Sequence, residues 1–344
     1  MSTSGAPLRF GISISNEVPV SDSVALARRA EELGLAEVWL PESGHGRGIF
    51  TVAAQIAAAT SRVSLGIGIV NPFWRHPSVI AMEAATLDEV SGGRVRLGIG
   101  AALWTLRALG EDDSRTRRPL AAMAEALQIV RAELSATPSI DPEIYRARRD
   151  AHLDFATVRP HIPLYVGAVN EKMLELSGAL ADGVELGAIA SPAYVKWSRE
   201  RVMAGALAAG RGPADLDLVS LVLVSVDRDG GRARDAVREV LAYYLSRVEG
   251  VVVDRSGADP GEVRAVRERV ARAGPGAGAE AITDGLIDTF AAAGRPDQVA
   301  AKLAQFVDAG ARGVLAWHVF GPDKAEGLRL FAEQVVPVLQ SGER

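Results

Sequence analysis

The chain has 344 residues, of which 48% are hydrophobic and 24% charged, with a formal net charge of −5 and no cysteine. This is the composition of a globular protein with a large core, which excludes disordered and fibrous classes, and its mild acidity gives no electrostatic reason to expect nucleic acid or an anionic membrane as a partner. Disulfides, thiolate metal sites and a cysteine nucleophile are excluded, so a small-molecule substrate is the default ligand.

The first segments alternate: LRFGISI (8–14) reads as a strand, SDSVALARRAEELG (21–34) as a helix and AEVWLPE (36–42) as a strand. Short apolar runs alternating with segments of period 3.6 predict βαβ units and a parallel sheet. Helix 50–60 then precedes strand 63–70, helix 77–90 precedes strand 94–100, and a helix covers 119–134. After a less regular stretch, 135–160, come strand 163–167, helix 171–181, strand 183–189, helix 192–209 and the long strand 216–226. The rhythm then breaks. Residues 227–280 read as a helical insertion with a flexible joint in the glycine-rich segment 274–278. Helix 296–309, strand 312–319 and helix 322–339 restore the pattern. Eight strands each followed by a helix predict one domain over 1–344, a (β/α)8 TIM barrel with a helical insertion after the seventh strand, in preference to an open doubly wound sheet. The opening MSTSGAPLRF lacks the features of a signal peptide, and no stretch approaches the roughly 18 apolar residues of a membrane span, so the expected location is the cytoplasm.

A TIM barrel keeps its active site at the C-terminal ends of its strands, which directs attention to Asn16, Glu17, Glu42, Ser43, His45, Ile69–Asn71, Gly100, Ala101, Gly167–Asn170, Ile189, Ala190, Ser225 and His318. This set holds no histidine and carboxylate cluster at metal-ligand spacing and no GxSxG elbow, so neither a metal site nor a serine nucleophile is expected. It offers instead glycine, small apolar residues and a few polar groups, which suits a planar cofactor that performs the chemistry itself. The strands VSLGIGIV (63–70) and RVRLGIG (94–100) both place glycine near their C-terminal ends, where a flat ring could lie on bare backbone. At PLYVGAVNEK (163–172) a strand ends in Gly167 and Ala168 and a helix begins near Asn170, so free N–H groups could cradle a phosphate with Lys172 in the first turn.

The segments VWLPESGHGR (38–47), AAATSRVSLGIGIVNPFWRHPSVIAMEAATLDEVSGGRVRLGIGA (57–101), PLYVGAVNEKMLELSGALADGV (163–184) and AGRGPADLDL (209–218) together resemble the luciferase-like monooxygenase superfamily, and within it the coenzyme F420-dependent branch that includes the methylenetetrahydromethanopterin reductases. The resemblance covers nearly the whole chain and implies hydride transfer between coenzyme F420 and an organic substrate. The alternatives are an FMN-dependent monooxygenase served by a flavin reductase and a non-catalytic ligand-binding barrel. It further implies a bulge with a non-proline cis peptide at Gly68, Ile69 and Val70, beside Asn71, against which the deazaflavin ring lies, with Gly100 and Ala101 under the same ring. The phosphate would rest on Gly167, Ala168 and Val169 near Lys172. Where relatives often have aspartate and histidine after the second strand, this chain has Glu42 and Ser43, with His45 two residues on, making Glu42 the first candidate acid or base and the other two its companions. Arg75 reads as fixing a loop, and Trp74 and Trp104 as walls of a pocket or covers of the rim. Homodimers are the expected assembly.

Overall fold

Eight parallel strands close into a ring in the computed structural model, which describes residues 8–42, 45–102, 118–137, 140–148, 150–187, 189–212 and 216–341. The ring runs β1 (Arg9–Ser13), β2 (Glu37–Leu40), β3 (Ser64–Val70), β4 (Val95–Gly100), β5 (Leu164–Gly167), β6 (Gly183–Leu186), β7 (Asp217–Val226) and β9 (Gly313–Phe320), which pairs back onto β1. The helices between strands are α1 (Val20–Glu32), α2 (Ile49–Ala59), α3 (Pro77–Ser91), α4 (Pro119–Leu134), α5 (Glu171–Leu180) and α6 (Pro192–Ala208). This is a (β/α)8 TIM barrel, and the ring strands and these helices coincide to within a few residues with those expected from the sequence pattern.

Alternation along each strand sorts the residues. Val95, Leu97 and Ile99 of β4 face outward into the shell packed under the helices, where they join Leu65, Ile67, Leu164, Val166, Val184 and Leu186. Arg96, Gly98 and Gly100 face the barrel interior. That interior is filled by Trp39, Tyr165, Val219, Leu221, Leu315 and Trp317. Beneath this layer Arg9 pairs with both Glu37 and Asp217, the Tyr165 hydroxyl donates to Asp217 at 2.6 Å, and the Trp39 indole donates to Glu37 at 2.8 Å. Buried charges persist when each has its partner, so the N-terminal end of the barrel is closed by a neutralised polar plug.

The insertion after β7 is longer than the sequence pattern suggests. It comprises α7 (Gly230–Leu245), α8 (Gly250–Asp254), α9 (Pro260–Ala279) and α10 (Asp284–Phe290), then a ninth strand, β8 (Ala291–Gly294), which pairs with the end of β7 outside the ring. At four residues of alanine and glycine, β8 carries none of the branched apolar pattern that marks a strand in sequence. The glycine-rich segment 274–278 is not an open joint: the helix breaks at Gly274, whose φ of 84° suits glycine, and resumes with Pro275 in its first turn. Gly278 then lets the resumed turn lie against Val270 and Ala242, where a Cβ would collide. After the insertion come α11 (Pro296–Ala309) and β9, and the expected C-terminal helix is divided into α12 (Lys324–Leu330), a π-helical turn (Phe331–Val335) and α13 (Val336–Ser341).

Candidate active site

The strand alternation fails in β3, and the site is built around it. In β3 the register against β4 shifts between Ile67 and Val70, and the Gly68–Ile69 peptide bond is cis. Both Gly68 and Ile69 consequently turn toward the barrel interior. A Cβ added to Gly68 would lie 2.6 Å from Trp39 Cε3, whereas the Ile69 side chain spreads over three glycines of the neighbouring strands. Added Cβ atoms at Gly98, Gly100 and Gly167 would approach Ile69 carbons at 3.2, 2.7 and 2.8 Å. The late glycines of β4 and β5 therefore make room for Ile69. They are not bare backbone awaiting a ring, as the sequence pattern suggested, and the floor of the barrel mouth on this side is aliphatic.

Asn71, 1% exposed, ties the two strand ends together. Its Nδ2 donates to the Ala101 carbonyl at 2.6 Å, and its Oδ1 accepts from the Phe73 amide at 2.8 Å. Both bonds are satisfied inside a buried corner, so this side chain sets the course of the chain as it leaves β3.

Glu42 is not a free carboxylate. Arg75 Nη1 donates to both of its oxygens at 2.8 and 2.9 Å, and the Trp74 indole donates to Oε2 at 3.1 Å. Arg75 also pairs with Glu83 of α3 at 3.0 Å, so one guanidinium joins the loop after β2 to the second turn of α3. This agrees with Arg75 as a loop-fixing residue and places Trp74 in the same cluster. His45 is exposed. Ser43 and Trp104 lie outside the described residues, as does the side chain of His318.

On the far side of the mouth, β5 runs through Gly167 and Ala168 to α5. The N-cap Asn170 makes no side-chain cap, and the amides of Val169 and Asn170 have no hydrogen-bond partner among the described residues. Tyr194 of α6 holds the turn from behind, its hydroxyl donating to the Val169 carbonyl at 2.8 Å. Uncapped N–H groups at a helix start are an anion-binding feature, and Lys172 stands exposed in the first turn with no ion pair to another described residue.

One buried acid at the mouth was missed by the sequence reading. Glu185, the acid of β6, is 5% exposed and points into the barrel, where its Oε1 would lie 2.9 Å from a Cβ at Gly68. Burial alone pushes its pKa up to about 8. The signal was present in GVEL, where Gly183 and Glu185 share one face of the strand and Val184 and Leu186 the other. Among the described residues no group of three or more metal-ligating side chains comes together, and no helix is long and apolar enough to cross a membrane.

A closed parallel barrel with its irregular strand, its glycines and an uncapped helix start gathered at the C-terminal mouth has the form of a TIM-barrel enzyme. Comparison with known proteins gives the family: residues 6–313 match the sequence profile of the luciferase-like monooxygenases, and the chain belongs to that family. It is 32% identical over 341 residues to the 5,10-methylenetetrahydromethanopterin reductase of Archaeoglobus fulgidus, covering 97% of this chain and 100% of that one. To the F420-dependent glucose-6-phosphate dehydrogenase of Beutenbergia cavernae it is 30% identical over 350 residues, covering 98% and 99% of the two chains. The structure of the coenzyme F420 dependent tetrahydromethanopterin reductase of Methanopyrus kandleri superposes with a TM-score of 0.85 at 26% identity, over 97% of this chain and 100% of that one.

Proposed function

We propose that the protein is an oxidoreductase that transfers a hydride between coenzyme F420 and a small organic substrate. The observation that carries this reading is the aliphatic floor made by Ile69 across Gly98, Gly100 and Gly167, set beside the uncapped start of α5. A flat apolar surface next to an anion cradle fits a tricyclic ring with a phosphorylated side chain. The glucose-6-phosphate dehydrogenase relative and the Methanopyrus kandleri reductase structure, both named for F420 and matched along nearly their whole length, support the same cofactor.

The residues divide the work. Ile69 presents one face of the slot, and Asn71 and the Ala101 carbonyl hold the strand ends that border it. Gly167, Ala168 and Val169 with the first turn of α5 hold the phosphate, aided by the charge of Lys172. Bound coenzyme F420 supplies the carbon that accepts or gives up the hydride. Glu42, locked by Arg75 and Trp74, serves as a brace for the mouth rather than as the acid or base, because both of its oxygens are held in hydrogen bonds. A second copy of the chain is the proposed partner, covering the exposed apolar residues Val79, Met82 and Val90 of α3, and Met82→Arg with light scattering tests whether the dimer depends on that face.

The deciding measurement is a side-by-side titration with oxidised coenzyme F420 and with FMN. Tight binding of F420 with weak FMN binding supports hydride transfer. Preference for FMN moves the protein to the monooxygenase reading with a flavin reductase partner, and binding of neither leaves a non-catalytic barrel.

A further inference from the structure

Strand β6 carries a single acid among apolar residues and glycine. Parallel register places Glu185 between Gly167 of β5 and Val219 of β7, on the barrel-facing row shared with Gly183. It faces Gly68 of the bulge across the interior. None of these three neighbours has a charge or a side-chain hydrogen bond to offer. One layer below, Arg9, Glu37, Arg96, Tyr165 and Asp217 pair among themselves, and none reaches the Glu185 carboxyl. The side chain is therefore more than nine-tenths buried and unpartnered among the described residues.

Such a group is costly to retain, because a carboxyl buried to this degree without a protein partner forfeits most of its hydration. Packing does not account for it, since an aliphatic side chain of similar size would fill the same place at no such cost. The space above it points to a ligand. Two residues on, just past the end of β6, Gly187 is exposed and a Cβ added to it would meet no described atom within 4 Å, so among the described residues the acid lies below an open part of the mouth, beside the bulge.

We propose that Glu185 is a ligand-contacting residue of the cofactor site, an un-ionised carboxylic acid that donates a hydrogen bond to a carbonyl oxygen of the bound deazaflavin ring. Its raised pKa, caused by burial, keeps the proton in place at neutral pH. A protonated carboxyl has one O–H to donate and matches a carbonyl acceptor, whereas the ionised form can only accept and would repel it. The assignment rests on the F420 reading.

The test uses the full chain and oxidised coenzyme F420, titrated from about pH 6 to about pH 9.5 against wild type, Glu185→Gln and Glu185→Leu, with thermal melting to show that each variant is folded. Glutamine keeps a donor and cannot ionise. The expected results are an affinity within about threefold of wild type for Glu185→Gln and about tenfold weaker for Glu185→Leu near neutral pH. Wild type should also lose affinity above about pH 8 relative to Glu185→Gln. Equal affinity of wild type and Glu185→Leu, with parallel pH profiles for wild type and Glu185→Gln, overturns the assignment while leaving the F420 reading in place. Wild type that binds no F420 at any pH overturns both.

Discussion

Ile69 lies across Gly100 so closely that a Cβ at residue 100 would stand 2.7 Å from Ile69 Cγ1. Two residues 31 positions apart in sequence thus form one surface, and the glycine is required by the isoleucine. Gly100→Ala should displace Ile69 and lower stability by about 1–3 kcal/mol, the usual cost of overpacking, with weaker F420 binding. In Gly100→Ala/Ile69→Ala the clashing carbon is gone, so the double variant should melt above the sum of the two single losses. A strictly additive double-mutant cycle would show that the two side chains do not compete for this space.

The arrangement of Glu42 and Arg75 gives a second expectation. The ion pair is largely buried, with side-chain exposures of 9% and 21%, and is shared with Trp74 and Glu83. Glu42→Gln and Arg75→Gln should therefore resemble each other, each losing about 1–3 kcal/mol of stability because a buried charged partner is left behind. The pH dependence of F420 binding should stay as in wild type. Calorimetric melting with the binding titration checks this, and a pH profile altered by Glu42→Gln alone would restore Glu42 as an acid or base.

These cases show where sequence was sufficient. The eight ring strands follow from alternation and period, because the outward residues Val95, Leu97 and Ile99 repeat at every second position. The bulge in β3 does not follow from local pattern, since SLGIGIV alternates evenly while the structure sets Gly68 and Ile69 on the same side; only the family resemblance pointed there. The late glycines of β4 and β5 stand out in the sequence, yet which atom they accommodate depends on strand register, which no single segment encodes. Glu42 looked free because its partner Arg75 comes from the next βα loop. Ala291–Gly294 was passed over because tertiary pairing with β7, not propensity, makes it a strand.

Lys172 offers a third test, aimed at the anion cradle. An exposed charge beside a helix start is worth about 0.3–1 kcal/mol to an anion there, so Lys172→Ala should weaken F420 binding about two- to fivefold. The loss should shrink at high salt, since the interaction is exposed to screening. Binding of a deazaflavin that lacks the phosphate should be unaffected by the substitution. Equal losses for both ligands would place Lys172 away from the phosphate.

The stability of the free protein should depend on pH through Glu185. Its pKa is near the ordinary 4.5 in the unfolded chain and about 8 when buried in the folded one. Between these values the folded state holds a proton that the unfolded state has released, so unfolding is increasingly favoured as pH rises. Stability contributed by the neutral acid is complete below about pH 4.5, declines through neutrality, and is lost once pH passes about 8. The full effect is on the order of 4 kcal/mol between about pH 5 and about pH 8, and hydration of the mouth reduces it. Melting temperatures of wild type should therefore fall over this interval relative to Glu185→Gln, which cannot release the proton and should be the more stable of the two in mild alkali. Since no cofactor is needed, this measurement isolates the burial of the carboxyl from its use: parallel melting curves across the interval would mean that Glu185 is hydrated or paired in solution, and the floor of the mouth would then have to be more open than Gly68 and Gly187 indicate.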